Sequence, residues 1–138
     1  MADEYKYLAP APDQETKPYW DAAKQHELRV QQCSNCKTFR HPPTKMCSNC
    51  YSEESEWVKV SGKGKLYSFI NIHQPVLFQW RDDVPYNVVQ VQLDEDPRII
   101  VVGNVPGVAY TDLKVGAPVK VMFDDVTAEI TMPRWALA

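Results

Sequence analysis

Four cysteines stand in two identical pairs, Cys33-Ser34-Asn35-Cys36 and Cys47-Ser48-Asn49-Cys50, and the chain has no others. Two C-x-x-C knuckles separated by ten residues supply four thiolates to one tetrahedral ion, which is the donor set of structural zinc. A disulfide framework is the alternative, but partners this close in sequence staple no distant elements, and nothing in the chain marks an oxidising compartment. Four thiolates around a divalent ion leave a charge of about −2, and Lys37, Arg40 and Lys45, with His41 among them and no acid between, are placed to offset it. A catalytic metal keeps an open coordination position. Four cysteines close the shell, so the metal reading is a structural one and it uses every thiol in the chain. Iron redox chemistry is the second option for such knuckles. Rubredoxin-type knuckles carry glycine after the second cysteine of each pair, whereas Lys37 and Tyr51 stand there, which favours zinc.

Little else has the spacing of an active site. The three histidines, His26, His41 and His73, lack neighbours that mark a triad, and each reads as a solvated or core side chain. Asp82-Asp83 reads as a solvated loop pair. No G-x-S-x-G and no G-x-x-x-x-G-K-[ST] occurs, and Gly62-Lys63-Gly64-Lys65 leads into a strand, not a helix N-terminus that would hold phosphate. With 15 basic and 18 acidic residues the net charge is −3, which argues against nucleic acid, whose binding rests on phosphate neutralisation. No apolar run reaches membrane-spanning length and the first residues lack a signal-peptide core, so a cytoplasmic protein is expected.

Several elements must position these groups. Residues 1–17, polar and containing Pro10 and Pro12, read as an extended arm. Pro18 to Leu28 reads as one short helix, capped by Asp13 or Thr16, whose Tyr19 and Trp20 need something to pack on. Leu28 to Gln32 leads as a strand into the first knuckle, and Pro42-Pro43 fixes an extended link to the second. From Trp57 the pattern alternates with period two. Strands are expected over residues 65–73, 87–93, 98–104, 119–123 and 128–132, with Leu66, Ser68, Ile70 and Ile72 sharing one face of the first. Gly62 and Gly64 open that strand where it must bend. Five strands led by a long bent one predict a mainly β chain: a short helix, a four-cysteine zinc ribbon over 18–56, and a five-stranded OB-fold barrel with a C-terminal tail over 57–138.

The order of these features resembles a known family, the acyl-CoA-associated OB-fold proteins with an N-terminal rubredoxin-like zinc ribbon. The resemblance rests on Tyr19-Trp20, Leu28, both C-x-x-C pairs, Pro42-Pro43, the run Ser61-Gly62-Lys63-Gly64-Lys65-Leu66-Tyr67-Ser68 and the run from Leu113 to Val119. It spans nearly the whole chain from Pro18. It implies an accessory subunit without chemistry of its own, one zinc per chain, and a thiolase-like partner, such as an aldolase of steroid side-chain breakdown, in a dimer of heterodimers around an acyl-CoA site.

Apolar residues outside the ribbon are the expected contacts of such a partner. The loop after His73 gathers Val76, Leu77, Phe78 and Trp80, which either plug the barrel mouth or form a patch that a subunit covers. Tyr19, Trp20 and, in the C-terminal segment, Trp135 join Leu77, Phe78 and Trp80 as partner contacts. Lys63 or Arg81 would meet a CoA phosphate. A free-standing acyl-CoA-binding module remains open, as does a nucleic-acid-binding ribbon that stacks bases on Tyr67 and Phe69.

Overall fold

The structure, a computed structural model, describes residues 5–138; the first four residues of the expected arm, on which the reading of the N-terminus rests, lie outside them. Helix α1 (Lys17–Lys24) is followed by strands β1 (Arg29–Cys33), β2 (Phe39–Arg40) and β3 (Ser55–Lys59), then by β4 (Lys63–Ile72), β5 (Tyr86–Leu93), β6 (Ile100–Gly103), β7 (Pro118–Asp125) and β8 (Thr131–Leu137). Two compact units emerge. One comprises residues up to Gly62 with Met122–Pro133, and the other Lys63–Val121 with Arg134–Ala138.

In the first unit, α1 is shorter than the apolar pattern predicts. The Asp13 carboxylate accepts from the Thr16 backbone N–H and the Thr16 hydroxyl from that of Asp13, and the helix begins just beyond. It ends at Lys24, not near Leu28, because His26 turns into the left-handed region (φ 59°) and the amides of Gln25, His26 and Glu27 fold back onto the carbonyls of Ala22 and Ala23. A histidine, not the usual glycine, fills this position. Its ring stacks on Phe123 at 5.3 Å and its Nε2 reaches Asp125 at 3.0 Å, contacts that offset the backbone cost. Ala22, Ala23, Leu28 and Val30 are buried together with Cys33 and Cys47. The antiparallel sheet has the order β2-β1-β3, so Trp57, read as the start of the barrel, pairs with Gln31 in the ribbon sheet.

The remaining five strands form a sheet of order β6-β5-β4-β7-β8, the OB-type architecture. The Trp135 amide donates to the Asn104 carbonyl at 2.9 Å, bringing β8 to the end of β6 and curling the sheet on itself. Leu66, Val89, Val91, Leu93, Val101, Val119 and Trp135 fill the interior. Asn87 is buried and fully used. Its side-chain amide donates to the carbonyls of Val105 and Val108, and its oxygen accepts from the Val105 amide.

Two readings of this unit need correction. A bulge between Leu66 and Ser68 inserts a residue at Tyr67 and reverses the faces beyond it. Leu66 points inward, but Ile70 pairs outward with Val88, while Phe69 and Asn71 turn in beside Val89 and Asn87. The last strand runs over Thr131–Leu137, three residues later than the alternation suggests, and carries Pro133 within it. Gly64 is required for a close approach between strands: a Cβ there would clash with the Gln92 carbonyl oxygen. Gly64→Ala is therefore expected to destabilise the chain by about 1–3 kcal/mol, seen as a lower Tm in thermal denaturation with the metal content unchanged.

Candidate metal centre and docking surface

Each knuckle is a turn that returns to its own start. The Lys37 amide donates to the Cys33 carbonyl and the Tyr51 amide to the Cys47 carbonyl, both at 3.0 Å. Lys37 (φ 64°) and Tyr51 (φ 63°) take the left-handed backbone that glycine supplies in rubredoxin-type knuckles. The missing glycines therefore do not remove the turn; two ordinary side chains bear its strain. Amides still point at sulfur, from Cys36 to Cys33 Sγ at 3.5 Å and from Asn49 to Cys47 Sγ at 3.4 Å.

The four Sγ atoms converge, all within 4.8 Å of one another. Cys33 and Cys50 sulfurs are 3.6 Å apart, as are those of Cys36 and Cys47. A tetrahedron with zinc–sulfur bonds of about 2.3 Å has edges near ~3.8 Å, whereas a disulfide needs about 2.05 Å. The thiols are free and the cage fits one tetrahedral ion. Two of its donors, both in the first knuckle, are held below the ordinary thiol value. Thr38 Oγ1, 3.2 Å from Cys36 Sγ, and the Asn49 side chain hold the Cys36 thiol down to about 5. The amide of Cys36 lowers that of Cys33. Cys33, Cys36, Cys47 and Cys50 would hold a zinc ion in a shell filled by protein, where it would organise the two knuckles.

Among the described residues the histidines form no nucleophile–base array. His26 Nε2 lies beside the Asp125 carboxylate, but Thr131 Oγ1 donates to that same carboxylate, so the hydroxyl meets the acid and not the base. Those two bonds, Thr131 first, hold Asp125 below its usual value. Burial lowers the His41 imidazole below its usual value, and its ring lies 5.7 Å from Tyr19. His73 lies 3.1 Å from the Asn71 side chain.

The residues read as partner contacts are scattered in environment. Tyr19 and Trp20 are half-buried and stack edge-on at 5.2 Å, and burial pushes the Tyr19 phenol up to about 12. The loop after His73 divides: Leu77 and Trp80 are half-buried, while Val76 and Phe78 are 71% and 78% exposed on and beside a 3₁₀ turn (Phe78–Asp83). Phe78 is thus no barrel plug. The Arg81 guanidinium covers its ring at 4.5 Å. Trp135 is a correction: it is fully buried in β8, so it belongs to the core and not to a surface contact. Lys63 is exposed at the start of β4, and Arg81 lies past the other end of that ten-residue strand, roughly 30 Å of strand path away. Sequence reasoning missed a third exposed apolar area, with Ile70 and Val102 57% and 61% exposed on the outer face of β4 and β6. The bulge that creates it has no signature in residue types.

A zinc ribbon built on a helix and three strands, followed by an OB-type sheet, defines a two-module binding protein with a closed metal shell. Comparison with known proteins places it further. The ChsH2 rubredoxin-like zinc ribbon domain matches residues 20–56 and the ChsH2 C-terminal OB-fold domain matches residues 57–124. The chain belongs to this ChsH2-type DUF35 family. It resembles the solved chain described as "Ltp2-ChsH2(DUF35) aldolase" with a TM-score of 0.83 and 33% identity, over 94% of this chain and 98% of that one. It is 29% identical over 130 residues to the 3-oxo-4,17-pregnadiene-20-carboxyl-CoA hydratase alpha subunit of Mycobacterium tuberculosis, covering 94% of this chain. It is 38% identical over 72 residues to the benzoylsuccinyl-CoA thiolase subunit BbsA of Geobacter metallireducens, covering 52% of this chain and 47% of that subunit. The chain spans 38% of the length of the hydratase alpha subunits it matches. Among the described residues no helix is long and apolar enough to cross a membrane.

Replacing Cys47, fully buried in the cage, by serine is expected to drop zinc from one per chain to substoichiometric levels and to unfold the ribbon, because metal-binding energy is folding energy in such a module. Elemental analysis with far-ultraviolet circular dichroism reads both effects.

Proposed function

We propose that this chain is a non-catalytic accessory subunit of a thiolase-like acyl-CoA lyase, an aldolase-type complex in which the reacting groups belong to the partner. The observation that carries the reading is the end-to-end likeness to the chain of the Ltp2-ChsH2(DUF35) aldolase, which covers 98% of that chain. The hydratase alpha subunits are less informative for the whole assembly, since this chain spans 38% of them. The chemistry of the residues points the same way. Every thiol is committed to the metal cage, and His26 is held by Asp125 without a hydroxyl on the imidazole.

The partner covers the Val76–Phe78 loop, with Leu77, Trp80 and the Tyr19–Trp20 pair supporting it from half-buried positions. The assembly is a dimer of heterodimers that holds an acyl-CoA thioester, with a steroid side chain as the acyl class suggested by the pregnadiene-carboxyl-CoA relative. Arg81, beside exposed Phe78, is the cation placed to meet a CoA phosphate at that edge. Lys63, far along β4, would serve only a second contact. The protein works in the cytoplasm and takes no nucleic acid, in keeping with its net charge of −3.

Phe78→Ser removes an exposed ring that contributes little to folding alone. It is expected to leave zinc content and Tm unchanged while weakening assembly with the thiolase-like enzyme about tenfold or more, measured by calorimetric titration of the purified subunits. Unchanged affinity would reject the loop as the interface; no association of the wild-type chain with any thiolase-like enzyme would reject the accessory-subunit reading.

A further inference from the structure

The cations near the cage behave differently from one another. Lys37 is exposed and pairs with Glu56 at 3.5 Å, and Lys45 is exposed. Arg40, at the end of β2, is 5% exposed. Among the described residues no carboxylate pairs with it. Its guanidinium donates instead to four backbone carbonyls. Nη1 reaches Thr44 at 3.0 Å and Lys45 at 3.4 Å, and Nη2 reaches Ser52 at 3.3 Å and Glu54 at 3.2 Å. These carbonyls bracket the second knuckle on both sides.

Two of the four are shared with the knuckles themselves. The Ser52 carbonyl also accepts from the amide of the ligand Cys47 at 2.9 Å, and the Glu54 carbonyl from the amide of Ser34, inside the first knuckle, at 3.1 Å. One side chain thus ties the chain before Cys47, the chain after Cys50 and the turn after Cys33. A buried cation with only carbonyl partners is costly unless an anion lies in the same low-dielectric region. A loaded tetrathiolate, with its charge of about −2, would supply such an anion in this module.

We propose that Arg40 is the positioning residue of the metal centre, its planar fork locking the second knuckle in the ligating geometry and its charge compensating the metal–tetrathiolate unit. The fork and the charge are separable. Lysine keeps the charge but cannot span four carbonyls, and methionine keeps neither. The role rests on the metal reading and is independent of any partner.

The test uses the full chain, zinc-loaded, as wild type and as Arg40→Lys, Arg40→Met and, as control, the exposed Lys45→Met. Zinc transfer to a colorimetric chelator is timed at neutral pH, well below each Tm. The ferric/ferrous potential is then measured on the same proteins loaded with iron. Zinc loss is expected to be about 10–100-fold faster in both Arg40 variants and unchanged in the control. The potential is expected to fall in Arg40→Met, because reduction takes the iron–tetrathiolate unit from about −1 to about −2, and to stay near wild type in Arg40→Lys and Lys45→Met. Destabilisation without an electrostatic role would not produce that split. Zinc release within twofold of wild type in the Arg40 variants, or equal potentials in Arg40→Met and wild type, overturns the proposal. If Arg40→Met does not fold, Arg40→Lys decides alone: faster zinc loss at unchanged potential supports the assignment, and wild-type zinc retention refutes it.

Discussion

Closure of four thiolates on one ion is the constraint on which the N-terminal half depends. The ribbon sheet holds a five-residue strand, a two-residue strand and another of five residues, and the side chains buried between it and α1 are few and small. Such a module lacks the apolar area to hold its loops by burial alone. The cage supplies the missing constraint, and the strain visible at Lys37 and Tyr51 follows from it. The turn that aims amides at sulfur is kept even where side chains make it unfavourable.

The OB-type unit is held by different means. Its strands bury an alternating apolar face, Trp135 closes the curl, and Gly64 allows β4 to pass the Gln92 carbonyl. This division of labour leaves an apolar surface free of both. The metal fixes one module, burial fixes the other, and neither consumes Val76 and Phe78, which remain in water. Exposed aromatic and aliphatic groups on a loop beside an arginine are the raw material of an interface centre.

What could be read from sequence was what depends on residue type. Cysteine spacing gave the cage and period-two runs the strands, whereas the link expected to be extended at Pro42-Pro43 has a cis His41–Pro42 bond and bends at residues 41–42 and 45–46. What could not be read depends on register or on long-range geometry. The bulge at Tyr67 adds a residue without changing composition, so Ile70 was assigned to the wrong face. The alternation places Trp135 in a C-terminal segment beyond the expected last strand, yet β8 runs over Thr131–Leu137 and buries it in the core. His26 ends α1 through contacts with Phe123 and Asp125, about a hundred residues away in sequence. Arg40, Lys37 and Lys45 were equivalent as charges, and only burial distinguishes the first.

The central claim is that this chain is the structural half of an acyl-CoA lyase. Native mass spectrometry of the complex copurified from the producing cells tests it most directly. The account predicts a particle of two copies of this chain and two of a thiolase-like enzyme, carrying one zinc for each copy of this chain. A chain recovered alone, or a partner of unrelated class, would contradict it.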